Sequence, residues 1–219
     1  MTFNRYKTSR ILLFLSISLL TINGLSQHKN TFQDLDEKVQ SFLKSHPWRN
    51  ENIAASDGKV LYDLIIMNNY QSALEIGTST GHSAIWLAWA LSKTGGKLIT
   101  IDINERRHKM ALENFAKTGL AEFIDARLAD AHELVPKLEG PFDFVFIDAD
   151  KDWYTNYFKL LLPKLQTGGC FTAHNVVNLS YLRGVKTFLE YVRSLANIKT
   201  SINRASSSGI SISYKESSN

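Results

Sequence analysis

The sequence predicts an α/β fold with a doubly wound, mostly parallel sheet and a C-terminal antiparallel hairpin. Short apolar runs alternate with segments of helical spacing through most of the chain, which is typical of parallel α/β sheets. A glycine-rich turn containing Gly77 and Gly81 follows the first such run. Two alternating segments, 198–202 and 209–214, flank a serine-rich turn and predict the hairpin. The 219 residues suit one domain with a full core.

The N-terminus has the pattern of a secretory signal peptide. Three basic residues precede the apolar run 11–22, and small residues follow in 23–26. This run is shorter than the roughly 20 residues that span a bilayer as a helix. We therefore expect a signal peptide over 1–26 and an exported, periplasmic domain over 27–219, with no stable membrane span after cleavage. An uncleaved N-terminal anchor, or a cytoplasmic location, is the alternative.

The charge and the cysteine content exclude some classes of protein. The formal net charge is +4, and removal of residues 1–26 takes away three basic residues and leaves +1. This balance provides no basic surface for a nucleic acid. Cys170 is the single cysteine of the chain, so an intrachain disulfide is excluded. Because Cys170 falls within an apolar run, we expect it in the core.

The elements follow one another in a regular order. A helical cap is expected over 27–70, with one helix before Pro47 and a second over 52–69 that has Ser56 or Asp57 as its N-cap. The expected strands are 73–76, 97–102, 123–128, 141–148 and 170–174; the expected helices between and after them are 83–91, 104–118, 130–138, 153–165 and 182–195. Ligands of such sheets lie beyond the carboxyl ends of the strands. This rule places Gly77–Gly81, Asp102, Asp130, Asp148 and His174–Asn175 around one crevice.

The glycine turn has the form acid-x-Gly-x-x-x-Gly, with Glu75 as the acid. A dinucleotide fingerprint requires a second glycine where Ser79 stands, which argues against an NAD-dependent oxidoreductase. A carboxylate at this strand end would repel a diphosphate but accept a hydrogen bond from an ammonium group. Asp102, at the end of the second strand, can accept from ribose hydroxyls, or act as a helix cap or surface acid. Asp130 suits either an adenine amino group or the N-cap of the next helix.

A dense group of charges follows the fourth strand, in Asp148–Asp152. Asp148, together with Asn175 one strand away, supplies oxygen ligands that suit Mg²⁺ or Ca²⁺. Lys151 beside such a cation is a candidate general base. A solvated charged loop is the alternative interpretation.

Taken together, segments 74–83, 100–104 and 144–154 resemble the cation-dependent O-methyltransferases, which include catechol and caffeoyl-CoA O-methyltransferases. The resemblance runs from about residue 52 to 214. It implies a Rossmann-like methyltransferase fold, the cofactor S-adenosylmethionine (SAM) and a small hydroxylated acceptor, catechol-like or otherwise aromatic. It also implies that Lys151 takes the acceptor's proton, and that Asp148, His174 and Asn175 bind a divalent cation. The implied SAM-binding residues are Glu75, Gly77, Thr78, Gly81, Ser83, Asp102, Asp130, Ala131 and Asp148.

One position departs from the family pattern. The family usually has Asp-Asn after the fifth strand, whereas this chain has His174-Asn175. Loss of a carboxylate disfavours Mg²⁺ and favours softer ions such as Zn²⁺, Mn²⁺ or Fe²⁺. Otherwise the site works without metal, with His174 as the base, or has lost catalysis. The predicted function is therefore SAM-dependent O-methyl transfer, the alternative being an exported, catalytically degenerate binding protein. The resemblance leaves a homodimer open.

Overall fold

The computed structural model describes residues 33–48, 51–177 and 182–217. The helices are α1 (33–45), α2 (Ala55–Asn68), α3 (His82–Thr94), α4 (Glu105–Thr118), α5 (Ala131–Leu134), α6 (Tyr154–Leu161) and α7 (Arg183–Ser194). The strands are β1 (Ser72–Ile76), β2 (Lys97–Asp102), β3 (Ile124–Leu128), β4 (Phe142–Ile147), β5 (Leu165–His174), β6 (Ile198–Asn203) and β7 (Ile210–Lys215). Short 3-10 helices cover Ala121–Phe123, Val135–Lys137, Lys151–Trp153 and Leu162–Lys164.

The strands form one seven-stranded sheet in the order β3-β2-β1-β4-β5-β7-β6. Strands β1 to β5 pair in parallel, whereas β7 pairs antiparallel with both β5 and β6. The predicted fold class, including the C-terminal hairpin, is confirmed. Because the order reverses between β1 and β4, the carboxyl ends of these strands open a crevice where such sheets bind ligands.

Two hydrophobic clusters cover the two faces of the sheet. One contains residues of α1, α2 and α3, and the other contains residues of α6 and α7. Helix α1 is joined to α3 by polar contacts as well, because Asp36 accepts a hydrogen bond from Trp89 Nε1 at 2.6 Å and pairs with Lys93 at 2.5 Å. Cys170 is fully buried, as expected. The N-terminal cap is thus packed against the domain over its described part.

Local signals position α4 correctly. The Asn104 side chain accepts a hydrogen bond from the Arg107 N–H as an N-cap, and Gly119 ends the helix with a φ of 79°. Both features follow from residue type, since asparagine caps helix starts and glycine adopts the left-handed conformation after helix ends.

Three predicted boundaries are wrong. The helix expected over 153–165 ends as an α-helix at Leu161, and β5 begins at Leu165 rather than at Cys170. Pro163 lies in the 3-10 turn between them, where it removes a backbone donor. Helix α2 has Ala54 as its N-cap, not Ser56 or Asp57. Asp57 lies in the first helical turn and is 1% exposed, which gives it a different role.

The predicted signal peptide, residues 1–26, lies outside the described residues. Among the helices of 33–48, 51–177 and 182–217, none combines the length and apolar character that a bilayer crossing requires.

Candidate active site

A crevice of about 660 Å³ lies at the carboxyl ends of β1, β2, β4 and β5. Its volume is within the range of pockets that hold small molecules or cofactors. Nine of the predicted site residues line it: Gly77, Ser83, Asp102, Asp130, Ala131, Asp148, Lys151, His174 and Asn175. Glu75, Thr78 and Gly81 do not. Most of the expected side chains therefore meet in one place.

The glycine turn is held by backbone contacts to β2 and β4. Gly77 has a φ of 105°, and its N–H donates to the Ile101 carbonyl at 2.9 Å. A Cβ on Gly77 would lie 2.9 Å from the Asp148 carbonyl oxygen. Only glycine fits at this point, since a side chain would meet both an unfavourable φ and the backbone of β4.

Asp102 joins the turn to the start of α4. Its Oδ2 accepts from the Ser79 N–H at 2.7 Å, and its Oδ1 accepts from the Asn104 N–H at 2.8 Å. A carboxylate has about four acceptor positions, so these contacts leave capacity for ligand hydroxyls. Asp102 thus lines the crevice in a fixed orientation.

Glu75 and Thr78 lie beneath the crevice rather than in it. The Thr100 hydroxyl donates to Glu75 Oε2 and lies 2.5 Å from Thr78 Oγ1. Burial raises the pKa of Glu75 to about 7, although the hydroxyls of Ser83 and Thr100 act to lower this pKa. Glu75 is fully buried, and its Oε1 has no hydrogen-bond partner among the described residues, so its contact with a ligand ammonium stays a prediction. Through the hydrogen bond from Thr100, Glu75 links β1 to β2 beneath the crevice.

Asp130 is the N-cap of α5, because its Oδ1 accepts from the His132 N–H at 2.8 Å. The capping alternative is therefore confirmed. His132 was not singled out in the sequence, yet it lines the crevice. Its ring stacks on Trp153 at a centroid distance of 3.7 Å, and its Nε2 lies 2.7 Å from Asp150 Oδ2. Two features of the sequence could have pointed to His132: its place two positions after Asp130, and the aromatic Trp153 directly after the charged segment 148–152.

Lys151 forms an ion pair with Asp148 at the end of β4, where its Nζ donates to Asp148 Oδ1. Burial acts to raise the pKa of Asp148, but the hydrogen bond from His174 and the charge of Lys151 lower it overall. Asp148 is therefore ionised at neutral pH. The Lys151 side chain is 24% exposed, so it is accessible from the crevice.

His174 lies between two carboxylates. Its Nδ1 is 3.1 Å from Asp148 Oδ2, and its Nε2 is 2.8 Å from Asp57 Oδ2. Burial acts to lower the pKa of His174, but hydrogen bonds to Asp148 and Asp57 raise it to about 9. Asp57 Oδ2 also accepts from the Ser206 hydroxyl at 2.6 Å. The sequence analysis missed this role of Asp57. Asp57 and His174 are 117 positions apart in the chain, and only the fold brings them together.

These side chains do not fit the divalent cation that the resemblance implies. Asp148, His174 and Asn175 do line the same crevice, but both nitrogens of His174 face carboxylates and each Asp148 oxygen has a basic neighbour. Across the part of the chain that the structure describes, no three His, Cys, Asp or Glu side chains are grouped so that they could hold a metal ion.

The seven-stranded sheet with its glycine turn and strand-end acids defines a methyltransferase-type α/β fold. A model of a protein family described as "O-methyltransferase" matches residues 26–197. This chain belongs to that O-methyltransferase family.

Curated relatives agree with this assignment. Caffeoyl-CoA O-methyltransferase 1 of Eucalyptus globulus is 34% identical over 146 residues, which cover 64% of this chain and 59% of the relative. The caffeoyl-CoA O-methyltransferase of Zinnia elegans is 33% identical over 177 residues, which cover 77% of this chain and 72% of the relative. The match thus spans less than two thirds of the Eucalyptus protein's length.

Solved structures share the fold. An O-methyltransferase from Bacillus cereus in complex with SAH superposes with a TM-score of 0.70 at 24% identity, over 84% of this chain and 91% of the other. TomG from Streptomyces achromogenes, an O-methyltransferase involved in tomaymycin synthesis, is in complex with SAM. It superposes with a TM-score of 0.69 at 25% identity, over 84% of this chain and 89% of TomG.

Proposed function

We propose that this protein is a SAM-dependent O-methyltransferase that acts on a hydroxyl of a small, catechol-like or otherwise aromatic acceptor. The observation that carries the proposal is a single crevice that combines the glycine turn and Asp102 with the Asp148–Lys151 pair. The glycine turn and Asp102 suit a nucleoside, and the Asp148–Lys151 pair suits a hydroxyl that must lose its proton.

The cofactor would lie at the carboxyl ends of β1 and β2. Asp102 would accept hydrogen bonds from the ribose hydroxyls, as strand-end acids do in other nucleotide-binding α/β folds. The close approach of backbone at Gly77 and the hydroxyl of Ser83 would accommodate the methionine part. Asp130, Ala131 and His132 line the crevice on the side that we assign to adenine.

The transfer itself requires little covalent chemistry from the protein. The acceptor oxygen forms a bond to the methyl carbon as the S–CH₃ bond breaks, and the sulfonium sulfur keeps the electron pair. The acceptor's proton must leave, and we assign it to Lys151 in its neutral form. Asp148 then stabilises the resulting ammonium through their ion pair. Alignment of methyl, oxygen and leaving sulfur supplies most of the remaining acceleration.

The acceptor class rests on the relatives. The curated relatives above are named caffeoyl-CoA O-methyltransferases, so an aromatic hydroxyl is the common chemistry we carry over. A homodimer is a further proposal, which light scattering of the purified chain would test.

The proposal is tested by calorimetric titration of SAM into the purified full-length chain, followed by methyl transfer to a panel of phenols and catechols. We expect micromolar binding and incorporation of label from methyl-labelled SAM into at least one acceptor. Absence of SAM binding would contradict the proposal. It would favour the alternative, a catalytically degenerate binding protein.

Export also remains a proposal, supported by the basic and apolar pattern of residues 1–26. Cell fractionation with mass determination tests it. Recovery from the periplasm with the mass of residues 27–219 is expected, and full-length protein in the cytoplasm would contradict it.

A further inference from the structure

A buried chain of contacts joins Asp57, His174 and Asp148, and the proposed reaction does not account for it. Asp57 belongs to α2, His174 ends β5, and Asp148 follows β4. Their side chains are 1%, 5% and 17% exposed. Burial of ionisable groups is costly unless each has a partner, so this arrangement requires an explanation.

Each ring nitrogen of His174 faces a carboxylate oxygen, Asp148 Oδ2 at Nδ1 and Asp57 Oδ2 at Nε2. An ionised carboxylate can only accept hydrogen bonds, so a ring nitrogen that faces one donates to it. A nitrogen that donates a proton has no lone pair for a metal ion, and only a neutral imidazole serves as a metal ligand. Rotation of the ring to free a nitrogen would break both contacts.

Asp148 is occupied in the same way. Its Oδ2 faces His174, and its Oδ1 accepts from Lys151 Nζ. The chain therefore consists of two carboxylates and two basic side chains whose charges balance. A divalent cation added beside Asp148 would meet the like charges of Lys151 and His174 at short range, where their repulsion is strong.

We propose that Asp57 is a positioning residue that holds the His174 ring against Asp148, and that this chain of contacts takes the place of a divalent cation in methyl transfer. The inference rests on the proposed function. Lys151 first releases its own proton to solvent, the acceptor's proton then passes to the neutral amine, and the methyl group passes from sulfur to oxygen, so the reaction balances without a metal ion. Without a metal ion the acceptor does not need two neighbouring hydroxyls to chelate one. Acceptors with a single hydroxyl should therefore react as well.

Metal binding is tested first, without SAM or acceptor. The full-length protein, cleared of metal with EDTA and desalted, is titrated calorimetrically with MgCl₂ and with MnCl₂. We expect no saturable binding up to about 1 mM, which is the range of weak cation sites. The variant His174→Asp, which places a second oxygen ligand beside Asp148 and Asn175, should gain Mn²⁺ binding.

The matched control is His46→Asp, the same exchange at a ring that packs against Phe42 and Trp48, which should bind no Mn²⁺. Saturable binding of Mg²⁺ or Mn²⁺ by the wild type, lost in Asp148→Asn, would overturn the proposal.

Turnover is tested second. The wild-type rate in EDTA should stay within about twofold of the rate with added Mg²⁺, whereas loss in EDTA and recovery with Mg²⁺ would overturn the proposal. Asp57→Asn should lower kcat by about tenfold or more, as loss of an orienting partner does in other sites, with the KM for SAM nearly unchanged. Asp57→Glu should recover part of kcat. Unchanged kcat in Asp57→Asn would overturn the positioning role.

Asp63→Asn provides the control on the same helix, because Asp63 pairs with Lys59 at the surface. It should change neither kcat nor KM. Failure of the proposed function would be seen as absence of turnover with any acceptor. The metal titration still decides this proposal in that case, since it requires neither SAM nor turnover.

Discussion

The two ends of the crevice are built in different ways. At β1 and β2 the backbone forms the site, through the left-handed Gly77 and the N–H groups bound to Ile101 and Asp102. At β4 and β5 side chains form it, through the contacts of Asp148 with Lys151 and His174. A site formed by the backbone depends on a local motif and tolerates few substitutions. A site formed by side chains can accept a substitution that changes a charge, provided that a neighbouring side chain compensates for it. The departure from the family pattern accordingly lies at the β4–β5 end.

The largest effect is expected from Lys151→Ala at the β4–β5 end. Loss of a general base typically costs about 10² to 10⁴ in rate, so kcat should fall by that factor while SAM affinity stays within about threefold. Steady-state kinetics and calorimetry measure the two quantities. Lys137→Ala, at an exposed lysine paired with Glu133, should leave both unchanged. A loss of SAM affinity in Lys151→Ala would show that the two ends are not separate.

Gly77→Ala should have the next largest effect, on the free energy of unfolding. The new Cβ would combine a positive φ with a 2.9 Å approach to the Asp148 carbonyl, for a combined cost of about 3 kcal/mol. Gly95→Ala is the control, because Gly95 has a φ of 76° but nothing within 4 Å of its Cβ position. It should cost only about 1 kcal/mol. Equal losses in urea denaturation would contradict the backbone role of Gly77.

The buried Glu75 beneath the glycine turn should make the free energy of unfolding depend on pH. Its pKa in the folded protein is about 7, above the ordinary 4.5, so the folded state holds a proton that the unfolded state releases between these values. Stability from this group is fully present below pH 4.5 and is lost as the pH rises from 4.5 through 7, by about 3 kcal/mol in all. Glu75→Gln should therefore gain stability over the wild type between pH 5 and pH 8. Glu133→Gln, at an exposed position, is the control for the exchange itself.

The smallest effect is expected from Asp102→Asn. Its neutral amide weakens the hydrogen bonds to ribose hydroxyls, and SAM affinity should fall by about tenfold, or roughly 1.4 kcal/mol. The kcat at saturating SAM should stay within about threefold, because Asp102 lies at the β1–β2 end. Asp125→Asn, at a surface carboxylate paired with Arg127, is the control. A large fall in kcat in Asp102→Asn would contradict the division of roles.

The sequence predicted the sheet and one end of the crevice better than the other end. Apolar runs, the glycine turn and the caps at Asn104 and Gly119 are local signals, and the structure confirms the elements they mark. The sequence suggested only that Ser56 or Asp57 is a helix cap, because the partner of Asp57, His174, lies 117 positions away and no local pattern links them. Glu75 was expected to face the ligand, but it is fully buried because β1 is covered on both faces of the sheet.

The contacts of Asp57 also bear on the order of folding. Asp57 in α2 reaches both His174 and Ser206, the latter 149 positions away beside the C-terminal hairpin. Closing such long loops is entropically costly, and contacts of high sequence separation form slowly. The carboxylate is therefore enclosed only after the first and last parts of the domain have met. A chain that still lacks β6 and β7 would have its glycine turn in place. It would lack the Ser206 contact to Asp57 and the pairing of His174 with Ile210, so the β4–β5 end of the crevice would be incomplete.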